Sequence, residues 1–254
     1  MSEPLLRVEG LAKHFQGLRA VDDVSFDIER GELVGLIGPN GAGKSTLFNC
    51  IAGAIRRTAG KVAFNGRQIV DLDPSRIARL GIARTYQNLR IFPDITVFDN
   101  VSAGAIGRIG ISLVGTLIPP LGRKREEAIA TATLAALERF DLLEYADLPA
   151  GNLAYGQKKH LEIARALSLQ PTLLLLDEPA AGLNDTETTE LANRLRALRD
   201  GGLTILLVEH DMPMVMRICD RIVVLDSGRK IAEGAPAAIR ADAAVRAAYL
   251  GDEA

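Results

Sequence analysis

A glycine-rich run at residues 38–46 carries the most specific chemistry in this sequence. It reads Gly-Pro-Asn-Gly-Ala-Gly-Lys-Ser-Thr and directly follows the apolar segment 33–37. Glycines let the backbone curl until several amides face one point, where they can bind phosphate oxygens. Lys44 can reach the β- and γ-phosphates of a nucleoside triphosphate, and the Ser45 hydroxyl can ligate Mg²⁺. The spacing therefore predicts a triphosphate site between a strand and a helix.

The residues expected to contact the nucleotide in this loop are Gly38, Pro39, Asn40, Gly41, Ala42, Gly43, Lys44, Ser45 and Thr46. A glycine-rich turn with no ligand is the competing interpretation. The sequence favours the phosphate site, because the motif requires a strand before the loop and a helix after it, and both are present.

Two adjacent carboxylates, Asp177 and Glu178, follow a second apolar run at residues 173–176. Ligands of open α/β sheets bind at the carboxyl ends of the strands, so we expect these acids beside the phosphate loop. Asp177 can hold Mg²⁺ through water, and Glu178 can polarise the attacking water as a general base. Two solvated acids at a strand end are the alternative, which the upstream phosphate loop disfavours.

Gln87 and His210 are weak candidates when each is taken alone. A lone glutamine is usually a surface residue, and a lone histidine is more often structural than catalytic. His210, however, closely follows the apolar run 204–208, which is predicted to be a parallel strand. We therefore expect it at the same sheet edge as Glu178, where it could contact a γ-phosphate.

A second anion site is predicted at residues 153–157, a small-residue turn that leads into an amphipathic helix. Leu161, Ala164 and Leu167 are spaced to face inward, and the helix begins with backbone amides that favour an anion. Because the phosphate loop already holds one triphosphate, we interpret this turn as a grip on the γ-phosphate bound to another subunit.

Composition sets limits on the function. The chain has 254 residues and a formal net charge of -2, with 48% hydrophobic and 24% charged residues, which is typical of a globular protein. A dedicated nucleic-acid binder usually has a basic excess, so no nucleic-acid partner is expected. The two cysteines are far apart in sequence, which fits a reducing cytosol. No stretch approaches the roughly 18 apolar residues of a membrane span, so we expect work at a membrane to go through partners.

Apolar patterning predicts two kinds of strand. Residues 24–28 and 62–64 alternate between apolar and polar, which is typical of half-buried antiparallel strands, and Asn65-Gly66 predicts a hairpin turn. Uninterrupted apolar runs at 173–176, 204–208 and 222–225 are typical of strands covered on both faces. Together with the helical patterns between them, these runs predict an α/β fold.

Helices are predicted at residues 46–52 and 187–199, and mostly helical structure from about residue 73 to 148. The helix expected over residues 124–140 has an apolar face formed by Ala128, Ile129, Ala132, Leu134, Ala135 and Leu137. Residues 109–121 are apolar but interrupted by glycines and prolines. We interpret them as a loop that folds onto the helices or as a surface that faces a partner.

Taken in chain order, these motifs resemble those of ABC-type ATPases. Residues 38–46, Gln87, 153–157, 177–178, 181–185 and His210 resemble, in turn, the Walker A, Q-loop, signature, Walker B, D-loop and H-loop motifs. The resemblance covers nearly the whole chain. It implies a P-loop NTPase fold of the ABC ATPase type, with a mixed central sheet, an antiparallel β layer and a helical subdomain at about residues 88–160. All of these would belong to one domain at residues 5–251.

The resemblance also assigns roles within the site. It implies ATP and Mg²⁺ as ligands, with Gln87 joining Ser45 and Asp177 around the metal. Glu178 would be the base, His210 would hold the γ-phosphate, and Phe15 would stack on adenine. The signature residues would be Leu153, Ala154, Tyr155, Gly156 and Gln157. Ala154 and Tyr155 depart from the usual Leu-Ser-Gly-Gly-Gln pattern, and the missing serine removes one hydroxyl donor to the γ-phosphate.

Several segments resemble more narrowly the ATP-binding subunit of branched-chain amino-acid importers: 84–88, 93–97, 154–157, 180–184 and 249–251. This resemblance implies ATP hydrolysis coupled to import. It also implies a second ABC ATPase subunit, identical or not, two membrane permease subunits and a periplasmic or extracellular substrate-binding protein. The chain would then act at the cytoplasmic face of the inner membrane.

Alternatives remain for the transported compound. An ABC ATPase for lipopolysaccharide extraction, or one for import of urea, amides or short peptides, would carry the same motifs. Soluble ABC ATPases of DNA repair or translation generally have long coiled coils, tandem nucleotide domains or basic stretches, and the sequence shows none. A phosphate-loop kinase would leave the signature-like turn unexplained.

Overall fold

The computed structural model describes residues 3–69, 71–87, 89–109 and 119–250, apart from the side chains of residues 119–121 and 250. The chain divides into two compact units. The first comprises Met1–Ile77 and Leu175–Ala254, and the second comprises Ala78–Leu174. The helical subdomain expected at about residues 88–160 falls inside the second unit, while the single domain over residues 5–251 stays a prediction.

The elements are, in chain order, β1 (Leu6–Phe15), β2 (Leu18–Ile28), β3 (Leu33–Ile37), α1 (Lys44–Ile51), β4 (Ala59–Phe64), β5 (Arg67–Gln68), α2 (Pro74–Arg79), β6 (Ile82–Arg84), α3 (Val97–Ile109), α4 (Pro119–Glu138), α5 (Tyr155–Ser168), β7 (Leu173–Asp177), α6 (Asp185–Asp200), β8 (Thr204–Val208), α7 (Met212–Ile218), β9 (Arg221–Asp226), β10 (Arg229–Gly234), α8 (Pro236–Ala241) and α9 (Ala243–Leu250). None of the helices among the described residues has the length and apolar character needed to cross a bilayer.

An antiparallel sheet in the first unit has the strand order β2-β1-β4-β5. Val8 of β1 pairs with Phe26 of β2 on one side and with Val62 of β4 on the other. Asn65 and Gly66, with φ values of 52° and 72°, form the tight turn between β4 and β5. The half-buried antiparallel strands and the hairpin turn predicted from the sequence are confirmed.

Strands β10, β9, β3, β8 and β7 follow one another in that order in a second sheet. Strands β3, β7 and β8 are buried at every residue, as their uninterrupted apolar sequences predict. Strand β3 runs parallel to β8 and β9, and β10 is antiparallel to β9. The parallel strands therefore end at one edge, where the predicted site residues follow them.

Helix α1 begins at Lys44, two residues before the expected start, because Gly43 caps it in the left-handed conformation. Helix α6 begins at a capping box: the Asn184 side chain accepts from the Glu187 amide at 3.0 Å, and the Glu187 carboxylate accepts from the Asn184 amide at 2.9 Å. Each cap sets where a helix starts relative to the strand before it.

The second unit contains α3, α4 and α5, and the strand β6. The prediction of a loop at residues 109–121 is wrong at both ends, because Ile109 ends α3 and Pro119 begins α4. The part at residues 110–118 lies outside the described residues. The predicted apolar face of α4 is also partly wrong. Ala128, Leu134 and Ala135 are exposed, whereas Ala132, Thr133, Ala136 and Leu137 are buried.

Close contact between α3 and α5 depends on small residues. A Cβ added to Gly104 of α3 would lie 2.3 Å from the Arg165 carbonyl oxygen and 2.3 Å from the Ser168 Oγ atom of α5. The Ser168 hydroxyl donates to the Val101 carbonyl at 2.7 Å. The two helices therefore pack closely side by side.

Candidate functional site

The phosphate loop begins where β3 ends, and its backbone requires glycine. Gly38, Gly41 and Gly43 have φ values of 152°, 81° and 96°, which residues with a side chain rarely adopt. A Cβ on Gly38 would lie 2.1 Å from the Leu225 carbonyl oxygen, and one on Gly43 would lie 2.1 Å from the Ala20 carbonyl oxygen. Backbone from two other segments therefore packs against the loop and holds its curl.

Lys44 places a largely buried cation at this loop. It is only 8% exposed, and its Nζ atom donates to the Gly38 and Pro39 carbonyls at 2.7 and 3.0 Å. Burial lowers the pKa of Lys44, and the nearby carboxylates of Glu178 and Asp177 oppose that shift. A desolvated ammonium beside curled amides is well suited to bind a phosphate. Ser45, the next residue, is exposed on the first turn of α1.

The adjacent carboxylates lie at the end of β7. Asp177 is buried, at 4% exposure, and Glu178 is half-buried. Glu178 has a φ of 48°, an unusual left-handed conformation for this residue, and its amide donates to the Val208 carbonyl at 2.9 Å. Such strain concentrates at functional sites. The structure therefore brings both carboxylates into the electrostatic environment of Lys44.

Glu209 links two segments at this edge. It is fully buried, and its carboxylate accepts from the Ala180 amide at 2.8 Å and from the His210 amide at 3.1 Å. Burial raises the pKa of Glu209, and the two amides oppose this shift. The side chain of His210 is 64% exposed. Its backbone is therefore fixed, while its imidazole remains accessible to a ligand.

The predicted second anion site is a turn in the second unit. Leu153 and Gly156 are buried, and Tyr155 is 48% exposed. Ala154 is the N-cap of α5 and makes no side-chain cap hydrogen bond, and the Gln157 side chain accepts from the Ala154 amide at 2.9 Å. A helix N-terminus directs backbone amides and the positive end of the helix dipole outward, which favours an anion.

Gln87 also lies in the second unit, and its side chain is exposed. The residue before it, Tyr86, donates its backbone amide to the Glu162 carboxylate of α5 at 3.2 Å. The segment that carries Gln87 is thus hydrogen-bonded to the helix that follows the signature-like turn. The role of Gln87 as a metal ligand stays a prediction.

Phe15 is 43% exposed at the end of β1, in the first unit. The Nζ atom of Lys13 lies 4.6 Å from the centroid of its ring. An exposed aromatic ring beside a cation can stack on a nucleobase. The role of Phe15 in stacking on adenine stays a prediction.

Comparison with known proteins decides the family. A model described as ABC transporter matches residues 21–181, which include the phosphate loop, the signature-like turn and both strand-end carboxylates. The chain belongs to the ABC transporter family. A second model, described as branched-chain amino acid ATP-binding cassette transporter, matches residues 229–254.

Full-length relatives agree with this assignment. The chain is 46% identical to LivG of Salmonella typhimurium, a high-affinity branched-chain amino acid transport ATP-binding protein, over 99% of this chain and all of that one. It is 42% identical to BraF of Pseudomonas aeruginosa, which bears the same description, with the same coverage.

Solved structures agree as well. An ATP-binding cassette of an ABC transporter in its ADP conformation is 34% identical, with a TM-score of 0.86 over 98% of this chain and all of that one. A nucleotide-free ATP-binding cassette has a TM-score of 0.85 at 33% identity, over 97% of this chain and 99% of that one. The predicted family, the ABC ATPase fold and the ATPase activity are confirmed.

Two residues of this ABC ATPase site were missed from the sequence. Glu209 directly follows the buried strand β8, as Glu178 directly follows β7, and this position in the sequence could have identified Glu209 as a candidate. Tyr249 of α9 has a buried hydroxyl that interacts with the backbone of Gly38; burial raises its pKa, and this interaction opposes the shift. A tyrosine in a short helix far along the chain gives no sequence signal for that contact.

Proposed function

We propose that this ABC ATPase energises the import of branched-chain or other hydrophobic amino acids. The observation that carries this proposal is the full-length similarity to LivG and BraF, at 46% and 42% identity. The separate match of residues 229–254 to the branched-chain family supports it. An importer of urea or amides and a lipopolysaccharide exporter remain the alternatives, because the transported compound is selected by other chains.

In this proposal the phosphate loop, residues 38–46, binds the ATP phosphates, and Lys44 exchanges its carbonyl partners for phosphate oxygens. Ser45, Asp177 and Gln87 would hold Mg²⁺, because hydroxyl, carboxylate and amide oxygens are the hard donors that this ion prefers. Ser45 is exposed and directly follows Lys44, and the buried Asp177 carboxylate interacts electrostatically with Lys44. The hydroxyl and carboxylate oxygens in the first unit therefore fit Mg²⁺. Bound Mg²⁺ would neutralise phosphate charge.

Glu178 is the proposed general base, which takes a proton from the attacking water as it approaches the γ-phosphorus. His210 would hold the γ-phosphate and the water in line. The hydrogen bond of the Glu178 amide to Val208 supports this pairing, because it joins the segments on which the two side chains lie. Phe15 would stack on adenine.

A second subunit would complete each site. The turn Leu153–Gln157 presents the N-terminus of α5 to the γ-phosphate bound to that subunit, so two ATP molecules join the pair. Hydrolysis removes these bridges, and the cycle of closing and opening drives two membrane permease subunits. A substrate-binding protein outside the membrane would deliver the amino acid, and the ATPase would act at the cytoplasmic face of the inner membrane.

The catalytic assignment is tested with Glu178→Gln. This variant should bind ATP normally but lose turnover by about 10²- to 10⁴-fold, because the amide cannot accept the proton. It should also accumulate an ATP-bound dimer in size-exclusion chromatography, alone or with its natural partner subunit. Glu190→Gln, the same change at an exposed position on α6, is the matched control and should behave as wild type. Turnover of Glu178→Gln near the wild-type rate would remove Glu178 from the role of base.

The transported compound is tested by uptake into cells that lack this gene. We expect uptake of radiolabelled leucine, isoleucine and valine to fall, and to be restored by wild type but not by Glu178→Gln. Urea uptake is the parallel measurement. Loss of urea uptake with unchanged leucine uptake would reject amino-acid import and leave the ATPase assignment intact.

A further inference from the structure

Glu162 is a buried carboxylate that the proposed hydrolysis does not use. It lies on α5, is 3% exposed, and its Oε1 atom accepts from the Tyr86 amide at 3.2 Å. The backbone amide of Arg90 hydrogen-bonds the same carboxylate. One side chain therefore accepts hydrogen bonds from the amides of Tyr86 and Arg90, on either side of Gln87 in the segment 86–90, and joins them to the helix that begins at the signature turn.

The charge of Glu162 is costly to bury, and the surrounding cations only partly offset that cost. Burial raises the pKa of Glu162, while Arg165 and Lys159 on the same helix oppose the shift. Burial also lowers the pKa of Arg165, which Glu162 opposes. An apolar residue could fill this space without desolvating a carboxylate. The charged group therefore indicates a need for an acceptor of backbone amides at this point.

The side chain of Tyr86 holds the same segment in a second way. The guanidinium carbons of Arg84 and Arg90 lie 4.4 and 4.3 Å from the centroid of its ring. Cation–π contacts of this kind stabilise a fixed ring position. Tyr86 and Arg90 are thus restrained through their backbone amides and through the aromatic ring of Tyr86.

We propose that Glu162 is a positioning residue that makes the Gln87 segment and the signature turn, Leu153–Gln157, move as one body. The functional part of this inference rests on the function proposed above. Glu162 lies about two helical turns from the start of α5. A displacement of the Gln87 segment on nucleotide binding would then be carried along the rigid helix to the turn that grips the partner's nucleotide.

The test compares Glu162→Gln and Glu162→Leu with wild type. The leucine variant loses both acceptor oxygens, whereas the glutamine variant keeps one. Exchange of the Tyr86 and Arg90 amide hydrogens should accelerate by about 10- to 150-fold in Glu162→Leu, as expected for a lost hydrogen bond to a charged acceptor. Glu162→Gln should lie between Glu162→Leu and wild type. The kcat should fall by about tenfold or more, with the KM for ATP unchanged, because the phosphate loop is intact but the signature turn is misplaced.

Ser168→Ala is the matched control. It removes a buried hydrogen bond between α5 and α3, 2.7 Å long in wild type, without touching segment 86–90. It should change neither exchange in this segment nor kcat. Exchange in the wild-type protein is an independent measurement, because it does not require that any variant folds. The Tyr86 and Arg90 amides of wild type should be protected from exchange.

Three results would overturn the inference. The first is rapid exchange of the Tyr86 and Arg90 amides in the wild-type protein. The second is a Glu162→Leu variant whose exchange rates and kcat equal those of wild type. The third is a loss of kcat in Ser168→Ala as large as that in Glu162→Leu. The exchange measurement does not depend on hydrolysis. Normal turnover in Glu178→Gln would therefore reject the proposed base without affecting the exchange result, and the two failures can be told apart.

Discussion

Replacing Glu209 should separate catalytic geometry from nucleotide binding. Its carboxylate accepts from the Ala180 and His210 amides, at 2.8 and 3.1 Å, and is fully buried. In Glu209→Ala both amides lose their acceptor. The Ala180 amide becomes a buried donor without an acceptor, which costs about 1–3 kcal/mol, so the free energy of unfolding should fall by at least this amount. Glu209→Gln keeps one acceptor oxygen, and its loss should be about half as large.

Turnover should respond differently from affinity. The amide group of Glu209→Gln presents an N–H group to one of the two backbone amides, so either the His210 or the Ala180 segment must shift. A shift on the order of 1 Å can reduce the rate by about 10²-fold. The contacts of Lys44 with its loop are untouched, so the affinity for ATP should not change.

The assays are urea denaturation, steady-state ATP hydrolysis and nucleotide titration on the same preparations. Asp211→Asn is not a suitable control, because the Asp211 side chain caps α7 by accepting from the Met214 amide at 2.8 Å. Glu190→Gln, on an exposed face, serves instead. If Glu209→Gln retained wild-type kcat while losing stability, Glu209 would be structural only, and its predicted effect on catalytic geometry would be refuted.

Two further predictions concern helix packing and the lysine. Gly104→Ala should lower the melting temperature, because overpacking costs about 1–3 kcal/mol where a Cβ lies 2.3 Å from two oxygen atoms. Gly107→Ala on the same helix, whose Cβ would meet only a side-chain carbon at 3.7 Å, should leave it unchanged or raise it, and equal destabilisation by both would refute the packing argument. Because the pKa of Lys44 is lowered by burial, ATP affinity should be constant below that pKa and fall as the pH rises through it. Titrations of ATP across the alkaline range that show no fall before the ordinary lysine pKa would contradict this assignment.

The local motifs were readable from the sequence because each depends on neighbouring residues. The phosphate loop needs three glycines and a lysine within residues 38–44, and each of the strands β3, β7 and β8 contains an uninterrupted apolar run. Their positions follow from composition and order alone. The carboxylates at residues 177 and 178 were then placed by the rule that parallel strands end at one edge.

Other features depend on contacts that spacing does not encode. Glu162 accepts from an amide 76 positions away, and Glu209 from one 29 positions away. Neither acceptor is visible without the fold. The apolar face of α4 was partly misassigned because alanines and leucines occur in several registers there. The neighbouring helices select the register that includes Thr133, which is fully buried, and leave Leu134 exposed.

The backbone conformation of Glu178 lowers the stability of the fold at the residue proposed as the general base. Its φ of 48° suits glycine or asparagine better than glutamate, and a residue held in that region costs on the order of 1 kcal/mol or more. Laboratory selection for heat resistance alone would thus favour loss of the acidic side chain at this position. A selection for thermostable variants of this enzyme must therefore include an assay of ATP hydrolysis in every round of selection.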